Sequence, residues 1–383
     1  MSRNKKIEQR DEIDTIVIDV GCGVVKAGFS GRDAPDSIFD TVGPHLDIIS
    51  ENANTTDTSM PATSKRPVPL RRGVVQDWDS MTAVWNHVFE EELCIDPDQS
   101  GMPVLLTDAP KTTKADREKC AEIMFEHFKV PGLYLANQSV LSLFSCGKTR
   151  GLVVEMGEGA TYSVPVFEGF ALPHASVQMP IAGGDLTAYL KRLLEERGHT
   201  FNNSAAHNAI IRGIKETLCA VSNDYANDIR NDTEEHAYEL PDGQSITIGN
   251  TCRYNVPETF FNPSILQSGN DNNNNNNSNV QSITDCILES IGQCDTDFQP
   301  DLYSNVILSG GSSLFQGLKT RMQTELEEKV ESVPIEVIMD SQRKYASWIG
   351  GSMFASIGTF GKIYVTRQEY EDSGATAIHR KCF

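Results

Sequence analysis

The chain has 383 residues and a formal net charge of −20, from 33 Lys and Arg against 53 Asp and Glu. This acidity argues against nucleic acid or an anionic membrane surface as the main partner, because clustered basic side chains bind both. No stretch approaches 18 uninterrupted apolar residues, so the sequence predicts no membrane insertion, and the charged N-terminus predicts no signal peptide.

The first third of the chain alternates short apolar strands with amphipathic helices. An apolar strand at 16–18 leads into a Gly-Cys-Gly turn at 21–23 and a return strand at 24–29. Turn-forming residues over 43–72 predict a long exposed loop. Apolar spacing then predicts helices at 78–93, 114–128 and 138–145, and strands at 104–106 and 132–135.

A second copy of the early pattern begins at 152–154. This strand ends in Glu155, continues through a Gly-Glu-Gly turn at 157–159 and returns over 160–166. Asp19 and Glu155 hold the same place in the two copies, 136 residues apart (from 19 to 155). A repeat at that distance predicts two related half-domains.

The remainder of the chain predicts mostly helix. The predicted elements are helices at 183–200, 205–230, 281–293 and 314–330, a hairpin at 238–248, a strand at 306–308 and an apolar glycine-rich segment at 348–359. The Asn-rich stretch 269–279 predicts disorder or a loop tip. Nine scattered cysteines lack zinc-type spacing, which favours reduced thiols in a cytosolic or nuclear protein.

The two glycine turns that follow apolar strands are suited to a polyphosphate. Glycine lets consecutive backbone N–H groups point at an anion, and two facing hairpins would clamp it from both sides. One such turn alone is more often a tight hairpin, but the duplication with an acid at the same offset favours a site. Asp19 and Glu155 would then suit a hydrated Mg²⁺. A third glycine turn, at 309–313, precedes a helix whose N-terminus favours a phosphate or a polar ring edge.

Other nucleotide motifs fit these residues less well. The turn at 21–23 lacks the third glycine and the following helix of a dinucleotide fingerprint. The residues Gly147-Lys148-Thr149 match the end of a Walker A motif. The motif's first glycine would have to stand five residues before Gly147, where the chain has Ser142. Gln138 is suited to orient an attacking water, although a capping or solvated role fits its position equally well.

Over 15–383 the sequence closely resembles actin and the actin-related proteins. Seven stretches carry the resemblance, at 24–29 (VVKAGF), 115–128 (ADREKCAEIMFEHF), 167–175 (FEGFALPHA), 238–249 (YELPDGQSITIG), 309–311 (SGG), 344–352 (KYASWIGGS) and 379–383 (HRKCF).

The resemblance implies an α/β actin-like fold of two lobes with a duplicated ATPase core. ATP or ADP with Mg²⁺ or Ca²⁺ would lie in the cleft between the lobes. The implied subdomains are 1–40, 69–145 and 346–383 (subdomain 1), 41–68 (subdomain 2), 146–181 and 280–345 (subdomain 3), and 182–279 with its insertion at 269–279 (subdomain 4).

The resemblance also implies roles for individual residues. Asp19 and Glu155 match carboxylates near the metal, and Gln138 and Tyr162 match the positions that arrange the attacking water. Matched nucleotide-binding positions are Gly21, Cys22, Gly23, Val24 and Lys26 in the first loop, Gly157, Glu158, Gly159, Ala160 and Thr161 in the second, and Gly183, Lys215, Glu216, Gly310, Gly311, Ser312, Phe315 and Lys344 around the nucleoside.

Several of these positions depart from the family pattern. Cys22 and Met156 replace serines that would donate to phosphate, Glu155 is one methylene longer than Asp, and Val20 replaces Asn. Tyr162 replaces His, and a phenol is a poor base at neutral pH. Backbone donors survive these changes, so we expect ATP to bind and to be hydrolysed slowly or not at all.

The segments that contact neighbours in a polymer also differ. The family's apolar tip within 43–72 is polar here, its His before a glycine is Arg72, and its apolar plug is replaced by the Asn-rich stretch. Polar replacements should weaken filament assembly, which depends on apolar burial. An apolar cleft is retained between 139–145 and 348–359, where the resemblance implies binding proteins that dock a helix.

Three functions compete at this point. The first is a cytoplasmic, cytoskeletal, ATP-binding actin-like protein whose partners are actin or actin-like protomers. The second is an actin-related subunit of a larger complex, in the nucleus or elsewhere, with ATP as a structural ligand. The third, a metabolic phosphotransferase, lacks an identifiable second-substrate site and catalytic base.

Overall fold

The computed structural model describes residues 14–46, 68–202, 204–230, 234–240, 243–267, 280–331 and 333–382. The predicted Asn-rich loop, most of the predicted loop at 43–72 and the turn of the hairpin predicted at 238–248 lie outside these residues. No helix in the described part of the chain is long and apolar enough to cross a membrane.

Sixteen strands form the sheets of the described residues. They are β1 (Ile16–Val20), β2 (Val24–Phe29), β3 (Ser37–Asp40), β4 (Leu70–Arg71), β5 (Val74–Val75), β6 (Val104–Asp108), β7 (Gly132–Asn137), β8 (Gly151–Met156), β9 (Thr161–Phe167), β10 (Phe170–Ala171), β11 (Val177–Met179), β12 (Glu235–Glu239), β13 (Ser245–Gly249), β14 (Val306–Ser309), β15 (Val337–Met339) and β16 (Val365–Thr366).

Two six-stranded sheets share one connectivity. The first has the order β16-β7-β6-β1-β2-β3, and the second has β10-β9-β8-β14-β15 with β11 also paired to β9. In each, an antiparallel hairpin (β1–β2 or β8–β9) is extended by two parallel strands (β6 and β7, or β14 and β15). The predicted repeat of half-domains is therefore confirmed.

Fifteen α-helices of the described residues surround the sheets. They are α1 (Trp78–His87), α2 (Pro97–Ser100), α3 (Lys114–Glu122), α4 (Gln138–Ser145), α5 (Gly183–Glu196), α6 (Ala205–Leu218), α7 (Tyr225–Asp228), α8 (Asn250–Glu258), α9 (Ser264–Gln267), α10 (Ile283–Gly292), α11 (Gln299–Tyr303), α12 (Leu318–Lys329), α13 (Ala346–Ala355), α14 (Arg367–Ser373) and α15 (Ile378–Lys381).

Each sheet packs one face with helices into a large hydrophobic core. The first core includes Trp85, Phe89 and Phe125 beside the first sheet. The second core includes Leu186, Ile211 and other apolar residues from α5, α6 and α10. The opposite faces of the sheets pack into two smaller clusters. The two large cores place each glycine hairpin on its own half of the molecule.

One helix pair joins the two halves. α4 follows β7 of the first sheet and leads directly into β8 of the second, and α13 packs along it. Trp348 of α13 is fully buried and donates its indole N–H to the Val17 carbonyl of β1 at 3.0 Å. Gly350 faces the backbone of Leu141 so closely that a Cβ would overlap it. The absence of a side chain there allows the two helices to touch.

Some predicted boundaries are wrong. The helix predicted at 205–230 ends at Leu218, because Cys219 is extended (ψ 143°). The helix predicted at 314–330 begins at Leu318, because Gly317 has a left-handed φ of +84°. The helices predicted at 78–93 and 114–128 end in π turns over Val88–Glu92 and Ile123–His127.

The prediction of an exposed loop at 43–72 is only partly correct for the described residues of that range, 43–46 and 68–72. Leu46 and Leu70 are buried, at 1% and 8% exposure, because both pack into the first core. Leu70 and Arg71 form β4, which pairs with β5 as a small hairpin.

Candidate functional site

A cavity of about 570 Å³ lies where the two glycine hairpins face each other. Its walls come from both sheets, from α4 and from the turn after β14. Twenty predicted site residues line it: Asp19, Gly21, Cys22, Gly23, Val24, Lys26, Gln138, Glu155, Gly157, Glu158, Gly159, Ala160, Tyr162, Lys215, Glu216, Gly310, Gly311, Ser312, Phe315 and Lys344. Two others, Thr161 and Gly183, lie beside it without lining it.

Asp19 is the centre of a buried polar cluster on the first hairpin. It lies directly opposite Lys26 in the β1–β2 register, and Lys26 Nζ is 2.7 Å from Asp19 Oδ2. Oδ1 accepts hydrogen bonds from Thr107 Oγ1 at 2.6 Å and Gln138 Nε2 at 3.1 Å. Asp19 is only 2% exposed, so its charge depends on Lys26 for compensation.

Glu155 occupies the equivalent place on the second hairpin and is held by serine hydroxyls. Ser139 Oγ donates to Oε2 at 3.1 Å, and Ser142 and Ser347 donate to Oε1 at 3.2 and 3.4 Å. Burial raises the pKa of Glu155 to about 7, against the lowering effect of the Ser139 hydrogen bond. The extra methylene of this glutamate lets its carboxylate reach the hydroxyls of α4 and α13.

Gln138 and Tyr162, predicted to arrange the attacking water, are both engaged by protein groups. Gln138 Nε2 donates to Asp19 and also to Thr107 Oγ1 at 3.3 Å. The cap of α4 is Asn137, whose Oδ1 accepts from Ser139 N at 2.9 Å, so a capping role for Gln138 is wrong. Tyr162 Oη donates to the Arg72 carbonyl at 3.4 Å, and burial raises its pKa to about 12.

The second hairpin is supported from behind by a lysine. Lys215 Nζ donates to the Gly183 carbonyl and to Thr187 Oγ1, both at 2.8 Å, and lies 3.5 Å from Glu158 Oε2. Lys215 is 3% exposed. It therefore fixes the loop at Glu158 against the start of α5, while its stem lines the cavity.

The third glycine turn closes the cavity opposite the first hairpin. Gly310 has a φ of +88°, and a Cβ there would lie 2.5 Å from the Met156 carbonyl oxygen. Ser312 Oγ donates to the Gly157 carbonyl at 3.2 Å, which joins this turn to the second hairpin. Met156 itself is fully buried in the second core, so its side chain offers nothing to the cavity.

Cys22 is a neutral thiol at the tip of the first hairpin. Burial raises its pKa, and its Sγ accepts the Gly73 N–H at 3.4 Å. The two hairpins approach closely here, since a Cβ on Gly23 would lie 3.0 Å from Glu158 Cβ. The Cys22 thiol itself lies between the hairpins, since a Cβ on Gly159 would overlap Cys22 Sγ. An anion held here would therefore contact both the hairpin backbone and this neutral side chain.

The cavity fits a nucleotide with a largely hydrated cation. Its volume lies in the range of small-molecule sites, roughly 300–1,000 Å³. Phe315 offers an apolar wall at one end, and the glycine backbone offers donors at the other. Within the described residues no group of three His, Cys, Asp or Glu is arranged to ligate a metal directly. Asp19 and Glu155 would therefore act on the waters of a hydrated cation.

Residues that sequence patterns missed complete the site. Thr107, Ser139, Ser142 and Ser347 hold the two carboxylates. Of these only Thr107 had a sequence signal, because it directly follows the strand predicted at 104–106, which pairs with β1. Comparison with known proteins adds one finding: a family model described as Actin matches residues 10–383.

Proposed function

Since the chain belongs to the actin family, we propose that it is a divergent actin-like protein that binds ATP or ADP with a divalent cation between its two lobes. The cavity between two topologically equivalent glycine hairpins, each carrying a buried carboxylate, is the observation that supports this most strongly. Family members generally bind these ligands, and the donor set of this cavity suits them.

Each part of the cavity has a distinct task in this proposal. Backbone N–H groups of 22–24 and 158–160 hold the phosphates, because those of Gly21 and Gly157 donate to the Val24 and Ala160 carbonyls. Lys26 offsets the phosphate charge. Phe315, Gly310, Gly311, Ser312, Glu216 and Lys344 surround the nucleoside. The cation, when bound, neutralises charge on the phosphates, and Asp19 and Glu155 orient its water ligands.

Hydrolysis should be slow, because the residues near the attacking water are poor activators. Tyr162 cannot accept a proton near neutral pH when its pKa is about 12. The Nε2 group of Gln138 donates to Asp19 and Thr107, so only the side-chain carbonyl oxygen of Gln138 is left to orient a water. We propose an ATPase that is weak or lost.

Replacing Tyr162 by histidine should accelerate hydrolysis. An imidazole supplies a base near neutral pH, and a positioned base contributes roughly 10²–10⁴-fold. We expect phosphate release in a single-turnover assay to rise at least about tenfold, with Tyr162→Phe as the matched control that adds no base and no acceleration. Release by the wild type at the rate of actin, measured side by side, would contradict slow hydrolysis.

Filament assembly should be weak. The polar residues at 50–59 and the Asn-rich stretch replace the apolar contacts expected of a polymer-forming relative. We expect purified protein in Mg²⁺, K⁺ and ATP to stay in the supernatant under sedimentation conditions that pellet actin. Quantitative pelleting would contradict this.

A role as a subunit of a larger complex, in the nucleus or elsewhere, is the alternative that these same replacements favour. Partners would dock on the apolar surface at the end of α13, where Met353 and, just after the helix, Ile357 are 42% and 41% exposed. Size-exclusion of the endogenous protein separates the two possibilities. Elution in a stable megadalton complex supports the alternative, whereas association with filaments supports a cytoplasmic, cytoskeletal protein.

A further inference from the structure

A two-residue turn places Arg72 beside the cavity, which its neighbour Gly73 helps to line. β4 and β5 are joined by Arg72 and Gly73 alone, and both have left-handed φ values, 54° and 78°. Such turns match the twist of a hairpin, so the tip projects stiffly rather than as a loose loop. Leu70 anchors the base of this hairpin in the core of the first sheet.

From this tip Arg72 reaches across to the second half of the molecule. Its Nη1 and Nη2 donate to Oδ2 and Oδ1 of Asp185, each at 2.8 Å, and Nη1 also donates to the Pro180 carbonyl at 2.7 Å. Asp185 is held in place because its Oδ2 also accepts Ala182 N at 2.8 Å at the start of α5. Paired hydrogen bonds of this kind are directional as well as strong.

The same tip touches both glycine hairpins. Gly73 N donates to Cys22 Sγ of the first, and Tyr162 Oη of the second donates to the Arg72 carbonyl, each at 3.4 Å. Three positions that depart from the family pattern, Cys22, Arg72 and Tyr162, therefore form one connected set of contacts. Separating the halves would stretch the bonds of Arg72 to Asp185, Pro180 and Tyr162 together, while the Gly73–Cys22 contact keeps the tip on the first half.

A second ion pair joins the two halves at the wall of the cavity. Arg212 of α6 donates through Nη2 to Oδ1 and Oδ2 of Asp40 in β3, at 3.0 and 3.1 Å. Both residues line the cavity. Like the first pair it joins the first half to a helix of the second half, and both pairs are partly exposed, so dissolved salt reaches them.

We propose that the pairs Arg72–Asp185 and Arg212–Asp40 form an ionic clasp that must open before a nucleotide enters or leaves the cavity. The proposal builds on the nucleotide site proposed above and adds a control on its exchange. The clasp holds the two halves together beside the cavity, whereas the hairpin backbone would hold the nucleotide itself. Exchange should therefore accelerate with ionic strength.

Release of a fluorescent ATP analogue, chased with excess ATP, tests the clasp on the full chain. Compared proteins are the wild type, Arg72→Gln, Arg212→Gln and the double variant. We expect the double variant to release the analogue about fivefold faster, the size expected for two exposed ion pairs, and to lose most of the salt dependence. Arg150→Gln is the matched control, since its pairs with Glu168 and Asp301 lie within one half.

A second readout keeps this test separate from the nucleotide site. Small-angle X-ray scattering on nucleotide-free protein should give a larger radius of gyration for the double variant than for the wild type or Arg150→Gln. If no analogue binds but the double variant has the larger radius of gyration, the result supports the clasp and contradicts the proposed nucleotide site. Equal radii, or analogue release at the wild-type rate by the double variant, would overturn the clasp.

Discussion

Replacing Asp19 by alanine is expected to lower the free energy of unfolding by about 3–5 kcal/mol, the cost of leaving a buried charge without its partner. Lys26 is 8% exposed, and its ammonium is 2.7 Å from the Asp19 carboxylate. The same substitution leaves the Thr107 hydroxyl and the Gln138 amide without the acceptor that Asp19 provides. ATP binding should be lost as well, because the first hairpin loses its cross-strand anchor.

A double variant separates charge from shape at this position. Asp19→Ala with Lys26→Met removes both charges, so most of the lost stability should return while ATP binding stays absent. Chemical unfolding measures the first quantity, and thermal shift with ATP measures the second. If the free energy of unfolding of the Asp19→Ala protein lies within about 1 kcal/mol of the wild-type value, the buried Lys26 does not depend on Asp19 as its partner.

Replacing Gly350 by alanine should damage the joint between the two halves. The new Cβ would lie 2.5 Å from the Leu141 carbonyl carbon and closer still to its oxygen, and backbone cannot move aside as a flexible side chain can. Trp348 holds α13 on β1 through its bond to Val17, which limits any shift of the helix. We expect a loss of about 3 kcal/mol, the upper end for overpacking.

Gly358 provides the matched control for this substitution. It follows α13 on the surface, and a Cβ there would meet no atom within 4 Å. Gly358→Ala should change the free energy of unfolding by less than about 0.5 kcal/mol. If both variants unfold at the same denaturant concentration as the wild type, α4 and α13 are not in contact at Gly350.

The framework of the site could be predicted from local sequence patterns. The pattern of an apolar run followed by an acid and a glycine turn involves consecutive residues only, so it is visible in the sequence. Because the pattern occurs twice, it predicts equivalent positions for Asp19 and Glu155. The shared topology of the two sheets confirms that interpretation. The helix over Gln138–Ser145 was likewise predicted with its correct bounds, because its apolar spacing is unbroken.

The partners of the carboxylates could not be predicted in this way. Ser347 reaches Glu155 from 192 residues farther along the chain, and Thr107 reaches Asp19 across 88 residues. A serine or threonine gives no local sign of such a contact, because it is equally at home on a surface. The pairing of Arg72 with Asp185 depends in the same way on how the two halves of the molecule face each other.

The early end of the helix predicted at 205–230 was also beyond the sequence pattern. Periodicity continued past Leu218, yet the chain turns there because the following residues bond to other segments: Ala220 N donates to the Arg253 carbonyl and Val221 N to the Gln316 carbonyl. Tertiary hydrogen bonds replaced local helical ones at this point. Patterns along one segment carry no information about such distant acceptors.

Calorimetric titration of nucleotide-free protein with Mg²⁺ and ATP tests the proposed nucleotide site most directly. We expect one ATP bound per chain, accompanied by stabilisation of about 2.7 kcal/mol when free ATP is 100 times the dissociation constant. The Asp19→Ala, Lys26→Met protein should show neither effect while remaining folded. A wild-type protein that binds no ATP and gains no stability from it would contradict a nucleotide site between the two hairpins.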